Sequence, residues 1–418
     1  MNLAFLENRN IFLLASGGLD TMTIIDYLAK EVKARVTAGL VDLGQAGEDM
    51  QELTGYMKDA GAVDAIILDG RDLLCKWGVR GLIRPLAVYG SGYGLSTALA
   101  RAVKDYLAWQ EMTKRGMDNG GFMAHGATPK GNDQTRFKKG MRMLCPTIKV
   151  IGPWNWEPFR AKFPGRQEMF DHCVGKGLHI TSDPKEPCSS DKNVWGCTWE
   201  GRQLGEALTP TDFVKLAMSV HPKNGLDHSQ LVTITFEKGW PTHIDGRRIE
   251  NLFELVNRLN DICGPHGYGV VDMFEDRYFG DLKCRGVYEH AALKILQKVY
   301  DAILQVVMDR QTRASFNNMS QALAWEIYSA EWFSPMVNGK LAFFDYYAKF
   351  VTGTVSFELF KGNAEYRGMK DVPYSLYDRG NVTFESGGGF NQAWSEPWLE
   401  IECLLPETRH HAGQVEIP

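Results

Sequence analysis

The chain has 418 residues, which is enough for two domains or for one large domain with a tail. Hydrophobic residues make up 44% and charged residues 23%, as in ordinary soluble globular proteins. The formal net charge of −5 argues against a protein that coats nucleic acid, and no apolar run is long enough to span a bilayer, so we expect a soluble cytoplasmic protein.

Short apolar runs alternate with longer amphipathic stretches over the first 150 residues. The apolar runs predict strands at residues 11–15, 36–41, 63–68, 121–124 and 148–151. Apolar residues at helical spacing predict helices near residues 21–28, 49–60 and 97–114. This alternation predicts an α/β fold with a parallel sheet, which binds its ligands beyond the carboxyl ends of the strands.

The pattern becomes mixed after Pro153, Pro158 and Pro164, which predicts a second, α+β domain. It contains predicted strands at residues 231–236 and 351–360, and predicted helices at 248–260 and 286–311. Three glycines at 387–389 predict a loop before a Trp-rich tail. Eight cysteines are dispersed along the chain without a C-x-x-C pair, which predicts free thiols.

The segment S-G-G-L-D-T, residues 16–21, lies between the first predicted strand and the first predicted helix. Adjacent glycines let the backbone approach a ligand, and the start of the helix attracts an anion. Ser16 and Thr21 add hydroxyl donors for phosphate oxygens. Asp20 would repel a lone anion, so its presence indicates a divalent metal that bridges the carboxylate and the phosphates.

The pattern S-G-G-x-D-[ST] resembles the pyrophosphate-binding loop of the ATP pyrophosphatases, which split ATP into AMP and pyrophosphate. It lacks the G-x-x-x-x-G-K-[ST] spacing of kinases and motor ATPases. The resemblance implies a domain of the adenine nucleotide hydrolase type with ATP as a substrate. On this loop alone, tRNA thiolases, amidotransferase-linked synthetases and argininosuccinate synthases stay open.

A second polar segment, A-H-G-A-T-P-K-G-N-D-Q-T-R-F, occupies residues 124–137 after the fourth predicted strand. Thr128, Asn132 and Asp133 carry donors and acceptors suited to an amino acid, and Asp133 can pair an ammonium group. Arg136 can hold a carboxylate through two parallel hydrogen bonds. The segment resembles the most recognisable motif of the argininosuccinate synthases.

The resemblance to argininosuccinate synthases extends over nearly the whole chain. Further blocks similar to the family stand at residues 191–200, 272–277, 283–289, 332–335 and 375–377. The family implies an ATP-pyrophosphatase domain at 1–165, a synthetase domain at 166–365 and an oligomerisation tail at 366–418. It also implies a homotetramer, and a lyase-type enzyme that acts downstream on the product.

Residue roles follow from the same resemblance. ATP would be bound by Ala15, Ser16, Gly17, Gly18, Leu19, Asp20, Thr21, His125, Gly126, Lys130 and Gly131. L-Aspartate would be bound by Thr128, Asn132 and Asp133. The ureido acceptor, which is citrulline in the family, would be bound by Tyr93, Ala98, Asn132, Arg136, Ser189, Thr198, Glu200, Glu275 and Tyr288. Catalysis would rest on Asp20, Asp133 and Arg136, with Asp20 also serving Mg²⁺ through the phosphates.

Four residues near the predicted pocket depart from the family pattern. Ser96, Ala98, Ala102 and Pro129 stand where the family has Gly, Ser, Pro and Gly. Another ureido, carbamoyl or amide acceptor therefore competes with citrulline. A paralogue that binds nucleotide without catalysis is a third alternative, but the intact phosphate loop favours an ATP-dependent carbon–nitrogen ligase.

Overall fold

The structure is a computed structural model that describes residues 3–45, 47–180, 186–278, 280, 282–383, 389 and 391–417. The chain divides into two compact units, Met1–Tyr374 and Ser375–Pro418. No helix in the described ranges is long and apolar enough to cross a membrane. All eight cysteines lie in these ranges and are free thiols, as predicted.

Five parallel strands form the first sheet of the larger unit. They span Asn10–Ala15 (β1), Arg35–Asp42 (β2), Asp64–Asp69 (β3), Phe122–His125 (β4) and Lys149–Ile151 (β5). The order across the sheet is β3-β2-β1-β4-β5. The predicted parallel sheet is therefore confirmed, with strand ends that agree with the sequence to within a few residues.

β1 shows why these strands appear in the sequence as apolar runs. Ile11 and Leu13 belong to the core on one face of the sheet, whereas Phe12 and Leu14 belong to the core on the other face. A strand that is covered on both faces needs apolar residues at every position. The helices that alternate with the strands pack on both faces of the sheet.

Seven α-helices accompany this sheet within the described ranges. They span Leu19–Asp26 (α1), Met50–Asp59 (α2), Arg71–Gly78 (α3), Ser96–Lys114 (α4), Asp133–Leu144 (α5), Glu157–Lys162 (α6) and Arg166–Gly175 (α7). α1, α2, α6 and α7 share the core of Ile11, while α3, α4 and α5 share the core of Phe12. The helices predicted at residues 21–28, 49–60 and 97–114 correspond to α1, α2 and α4.

Nine strands follow among the described residues of the larger unit. They span Ser189–Asn193 (β6), Gly196–Glu200 (β7), Gln230–Glu237 (β8), Trp240–Ile244 (β9), Arg247–Arg248 (β10), Val270–Asp276 (β11), Lys283–Glu289 (β12), Gly353–Phe360 (β13) and Asn363–Lys370 (β14). They form two antiparallel sheets, β10-β9-β8-β13-β14 and β11-β12-β7-β6. Apolar residues of the sheet β10-β9-β8-β13-β14 belong to the same hydrophobic core as Phe12 of the parallel sheet. In the other antiparallel sheet, β6 and β7 pack against α4.

In the part of the larger unit that the structure describes, four further α-helices span Leu252–Cys263 (α8), Ala291–Val307 (α9), Arg310–Tyr328 (α10) and Pro335–Ala348 (α11). The helix predicted at 286–311 begins too early. Its first residues belong to β12, because there they pair on both sides, with β11 and with β7.

The smaller unit contains helices Arg379–Val382 (α12) and Ser395–His411 (α13). Every residue of α13 is exposed within this unit. Of the glycines predicted to form a loop before the tail, Gly387 and Gly388 lie outside the described residues.

The strand order places a binding crevice beside β1. The chain leaves β1 toward β2 on one side, and β4 lies on the other side. Ligands of open α/β sheets bind at such a reversal of strand order, beyond the carboxyl ends of the strands. The two polar segments found in the sequence, at 16–21 and 124–137, follow β1 and β4 and therefore meet at this crevice.

Candidate active site

The loop after β1 requires glycine at position 17. The φ angle of Gly17 is +72°, and a Cβ atom there would lie 2.8 Å from Leu53 Cδ2 on α2. L residues rarely adopt this left-handed conformation, and the close approach leaves no room for a side chain. The loop therefore turns tightly against α2 and presents Gly18 to a large cavity.

Ser16 and Thr21 hold the loop in this shape. The Thr21 hydroxyl donates to the Gly18 carbonyl oxygen at 3.1 Å, and the Ser16 N–H donates to Thr21 Oγ1 at 3.3 Å. Gly18 is the N-cap of α1, and Gly18, Leu19 and Asp20 line the cavity. A helix that begins at a cavity favours an anion at that point through its N–H groups and dipole.

Asp20 connects the loop to two neighbouring segments. Trp154 Nε1 donates to Asp20 Oδ1 at 3.1 Å, and Arg166 Nη2 donates to Oδ2 at 3.0 Å. Arg166 also donates through Nη1 to Ser189 Oγ at 2.8 Å. Asp20 thus holds a guanidinium group between the phosphate loop and β6.

The described residues do not build a metal cage. No cluster of three or more His, Cys, Asp or Glu residues suited to a metal ion occurs among them. Asp20 supplies the carboxylate nearest the loop, and both of its oxygens already accept hydrogen bonds. A Mg²⁺ ion here fits as part of a Mg–nucleotide substrate, since Mg²⁺ commonly keeps its waters and binds through phosphates.

The cavity beside the loop has a volume of about 910 Å³. Seventeen of the predicted site residues line it: Ser16, Gly18, Leu19, Asp20, Tyr93, Gly126, Thr128, Lys130, Gly131, Asn132, Asp133, Arg136, Ser189, Thr198, Glu200, Glu275 and Tyr288. Five predicted residues are not on its wall: Ala15, Gly17, Thr21, His125 and Ala98. The nucleotide, aspartate and acceptor residues predicted from separate segments are therefore brought together at one cavity.

Asp133, at the start of α5, lies between two buried arginines. Arg101 of α4 donates to Asp133 Oδ2 through Nε at 2.9 Å and through Nη2 at 2.7 Å. Arg136 donates through Nη1 to Oδ1 at 3.1 Å. Burial alone would raise the pKa of Asp133, but Arg101 and Arg136 outweigh it and hold that pKa well below its usual range. A substrate ammonium would therefore meet a carboxylate that already has two cationic partners.

The sequence motifs did not reveal Arg101, although it is central to this arrangement. Its Nη2 also contacts Asp191 of β6, so it joins α5 to the antiparallel sheet. A signal was present in the sequence: Thr97, Arg101 and Lys104 recur at helical spacing within a largely apolar stretch. All three line the cavity, on the same face of α4.

Asn132 is a buried connector as well as a cavity residue. Its Nδ2 donates to the Tyr328 hydroxyl at 2.8 Å, and its Oδ1 accepts from the Tyr278 N–H at 2.7 Å. Arg136 donates through Nε to the Tyr328 carbonyl oxygen at 3.2 Å and lies over the Tyr328 ring. The end of α10 therefore fixes both residues, which the linear motif could not show.

Tyr93, Tyr288, Thr97 and Thr198 form a further part of the cavity wall, which we call the tyrosine wall. The Tyr93 and Tyr288 rings stack with centroids 4.5 Å apart, and the Ala98 N–H donates to the Tyr93 hydroxyl at 3.2 Å. The hydroxyls of Thr97 and Thr198 are 2.8 Å apart. These contacts join α4 to β7 and β12 and leave both phenol rings at the edge of the cavity.

Two carboxylates line the cavity from the same antiparallel sheet as Thr198 and Tyr288. Glu200 pairs with Arg277 at 3.3 Å. Glu275 is buried, and burial raises its pKa above the ordinary value although Arg136 opposes the shift. A carboxylate that is short of strong partners in the unliganded site is suited to a substrate ammonium group.

Ala98 faces away from the large cavity. Its side chain lines a second, small cavity behind Arg101 and Arg136. A substitution of Ala98 would therefore affect substrate binding indirectly, by moving Arg101 or Arg136.

His125 is buried at the end of β4. Its Nδ1 accepts a hydrogen bond from the Ala127 N–H at 3.3 Å, and its ring stacks on Phe137. Burial lowers the pKa of His125 to about 4. The neutral ring therefore shapes the start of the segment at 126–131 from beneath.

We expect His125 to make the protein sensitive to mild acid. Between pH 6.5 and 4 the unfolded chain takes up a proton at this position and the folded chain does not. The free energy of unfolding is therefore highest above about pH 6.5. It falls by about 3 kcal/mol in total as the pH is lowered from 6.5 to 4. Urea unfolding across this range should show a shallower pH dependence in His125→Gln, and equal slopes in both proteins would contradict the assignment.

Two family models match the chain. The model described as "Arginosuccinate synthase N-terminal HUP domain" matches residues 10–179, and "Arginosuccinate synthase C-terminal domain" matches residues 188–407. The two matches meet close to the boundary between the parallel sheet with its helices and the antiparallel part.

Curated relatives match over nearly their full length. Argininosuccinate synthase of Rhodopirellula baltica is 34% identical over 400 residues, covering 95% of this chain and 96% of the relative. The enzymes of Agathobacter rectalis and Moorella thermoacetica are also 34% identical, and cover 96% and 97% of this chain and the same shares of their own lengths. The solved U34-tRNA thiolase NcsA from Methanococcus maripaludis matches with a TM-score of only 0.29 at 15% identity, covering 44% of this chain and 62% of that chain.

The parallel sheet, its glycine loop and the cavity beside the loop define an α/β nucleotide-binding enzyme of the ATP-pyrophosphatase class. The chain belongs to the argininosuccinate synthase family. This confirms the resemblance found in the sequence and indicates an ATP-dependent ligase.

Proposed function

We propose that this protein joins L-aspartate to the ureido carbon of citrulline through an adenylated intermediate, releasing AMP and pyrophosphate. The proposal rests on one cavity of about 910 Å³, which is lined by three groups of residues. They are the phosphate loop at 16–21, the Asp133 cluster (Asp133, Arg101 and Arg136) and the tyrosine wall. Three substrates must meet for this reaction, and a cavity of this size is at the upper end for small-molecule sites.

The chemistry requires activation of the acceptor. Both nitrogens of a ureido group donate electrons into its carbonyl, so the carbon is a poor electrophile. Attack of the ureido oxygen on the α-phosphorus of ATP forms a P–O bond and expels pyrophosphate. The neutral aspartate amine then attacks the ureido carbon and forms a C–N bond. The C–O bond to the AMP group breaks, the amine loses a proton, and AMP departs with the ureido oxygen.

The loop is suited to the first step. The start of α1 at Gly18 offers backbone N–H groups to the β- and γ-phosphates, and Arg166 can meet charge that develops on pyrophosphate. Magnesium enters with ATP as part of the substrate. Preorganised donors of this kind act without reorganisation during the reaction, which is why their contribution to rate is large.

The second step requires aspartate beside the adenylate. Thr128, Asn132 and the cluster of Asp133 with its two arginines offer charges of both signs for the carboxylates and the amine of aspartate. Tyr93, Ser189, Thr198, Glu200, Glu275 and Tyr288 form the wall that we assign to the acceptor. Holding the substrates together supplies much of the rate by converting an encounter into an internal reaction.

Oxygen labelling tests the intermediate. With MgATP, aspartate and citrulline labelled with ¹⁸O in the ureido group, the label should appear in AMP, with AMP and pyrophosphate formed in equal amounts. Mass spectrometry of the nucleotide product measures both. ADP as the product, or AMP without label, would rule out the adenylate route.

The acceptor is tested in the same assay. Citrulline should support faster pyrophosphate release than other ureido, carbamoyl and amide compounds that are offered with aspartate. If another compound is strongly preferred, the ligase chemistry holds and the acceptor assignment fails. Ala98 motivates the comparison, because the family serine is missing there and the position lies behind the arginines.

Assembly as a homotetramer is a further part of the proposal. α13 exposes Trp398, Ile401, Leu404 and Leu405 within its own unit. An apolar helix surface of this kind is suited to burial against another chain. Light scattering in solution measures the mass of the assembly.

We also propose that a lyase-type enzyme consumes the product of the reaction downstream.

A further inference from the structure

Arg101 and Arg136 separate the large cavity from a second, much smaller one. The small cavity has a volume of about 10 Å³ and lies beneath Ala98. Both arginines line both cavities. Each guanidinium group therefore has one side toward the substrate cavity and another side toward the small cavity behind it.

Three residues that line the small cavity carry buried polar atoms without a partner. Within the described part of the chain, Arg101 Nη1, Arg136 Nη2 and both carboxylate oxygens of Asp105 make no hydrogen bond. The exposed fractions of these three residues are 8%, 6% and 1%. Buried polar groups are nearly always hydrogen-bonded in proteins. Three of them around one small cavity indicate a shared partner.

Asp105 is held firmly in this position. It follows Arg101 by one turn of α4, and a Cβ atom at Gly140 of α5 would lie 2.2 Å from Asp105 Oδ2. The carboxyl group therefore rests on the backbone of α5. Burial raises the pKa of Asp105 well above its ordinary value, although Arg101 opposes the shift. A buried carboxyl group in this environment needs a hydrogen-bond partner.

We propose that Asp105 is a positioning residue, which holds Arg101 and Arg136 against Asp133 through one water molecule in the small cavity. The cavity volume of about 10 Å³ equals the least space that a water requires, about 10–15 Å³, so the cavity has room for at most one molecule. The water accepts hydrogen bonds from Arg101 Nη1 and Arg136 Nη2 and is bonded to the Asp105 carboxyl group. A buried water typically makes about three hydrogen bonds, which matches the three groups present.

Asp105 acts on the reaction only through the arginines. They fix Asp133 from two sides, and all three residues line the substrate cavity. Without the water between Asp105 and the arginines, both guanidinium groups can shift away from Asp133. The substrate aspartate then binds less well, because Asp133 and the two arginines no longer hold their positions. This step rests on the proposed function, in which the cluster binds aspartate.

Substitutions at Asp105 test the bridge in kinetics. Asp105→Leu places an apolar side chain of similar size in the cavity, and we expect kcat/KM for aspartate to fall by about ten- to a hundredfold. Asp105→Asn keeps an oxygen that can bond to the water, and should remain within about threefold of the parent because the swap is nearly isosteric. An asparagine variant as impaired as the leucine variant would overturn the proposal.

Leu99→Ala is the matched control for a loss of stability. Leu99 is fully buried on α4 and lines neither cavity. The variant should unfold more easily and yet keep the parent KM for aspartate. If it raises that KM as much as Asp105→Leu does, the effect of Asp105 is merely structural and the proposal fails.

A crystal structure of the unliganded protein tests the bridge without any turnover. Electron density for one water within hydrogen-bonding distance of Asp105, Arg101 and Arg136 supports the proposal. A direct ion pair, or a small cavity without density, overturns it. If the water is present and the protein shows no aspartate-dependent turnover, the proposed function fails while the bridge stands.

Discussion

Asp133→Asn should lower the free energy of unfolding by about 3 kcal/mol, the lower end of the cost of removing one member of a buried ion pair, because the Asp133 side chain is 23% exposed. Asp133 accepts three hydrogen bonds from the guanidinium groups of Arg101 and Arg136, which are both buried. The variant leaves Arg136 as a buried cation without its carboxylate partner, whereas Arg101 keeps Asp191. Urea unfolding at neutral pH measures the loss.

The same substitution should reduce aspartate-dependent turnover by about 10²–10³, because the group fixes charge at the reacting centre. The matched control is Asp69→Asn, since Asp69 also pairs with an arginine, Arg71, at 2.7 Å but on the surface. An exposed pair contributes about 0–1 kcal/mol, so this control should unfold almost as the parent does. Equal urea midpoints for Asp133→Asn and the parent would contradict the importance assigned to the cluster.

The parallel sheet could be predicted because burial on both faces leaves a local record. Residues 11–15 are apolar without interruption, since Ile11 and Phe12 enter different cores. The loop that follows was recognisable because its conformation demands glycine at 17, where a Cβ atom would collide with Leu53. Both signals belong to a few consecutive residues, and both were therefore available from the sequence.

The antiparallel strands at the site left no such record. β6, Ser189–Asn193, is polar throughout and carries no alternation of apolar and polar residues. It forms because it pairs with β7, which in turn pairs with β12. The residues 286–289 have the same origin, since pairing on both sides overrode the apolar pattern that predicted a helix. Pairing between distant segments is not visible in any one of them.

The direction of side chains on α4 was also hidden. The motif around Tyr93 identified Ala98 as a substrate position, but the helix turns Ala98 toward the small cavity and Arg101 toward both cavities. A linear motif gives residue types and spacing, whereas the rotation of a helix is fixed by what packs around it. α5 and β6 fix it here, because Arg101 of α4 donates to Asp133 and also contacts Asp191.

Asp20→Ala should lower turnover by about 10²–10³ while the protein stays folded, since it removes a group that organises charge at the phosphate loop. The Asp20 carboxylate holds Arg166 at 3.0 Å and accepts from Trp154 at 3.1 Å, so its loss frees the guanidinium that we assign to pyrophosphate. Pyrophosphate release at saturating MgATP, aspartate and citrulline measures the effect. Arg166→Ala should cause a similar loss, and the double variant should lose little more, because both act as one unit.

Asp26→Ala is the control that separates this role from simple packing. Asp26 lies on the same helix, α1, and bonds His172 and Lys176 at 2.8 and 2.7 Å, so it also ties α1 to α7 but away from the loop. Its removal should lower the free energy of unfolding and leave turnover near that of the parent.

Titration with Mg²⁺ distinguishes the two roles of Asp20. If excess Mg²⁺ restores Asp20→Ala, the carboxylate acts through the metal of the substrate; if not, it acts by holding Arg166. Turnover close to the parent at every Mg²⁺ concentration would remove Asp20 from the mechanism altogether.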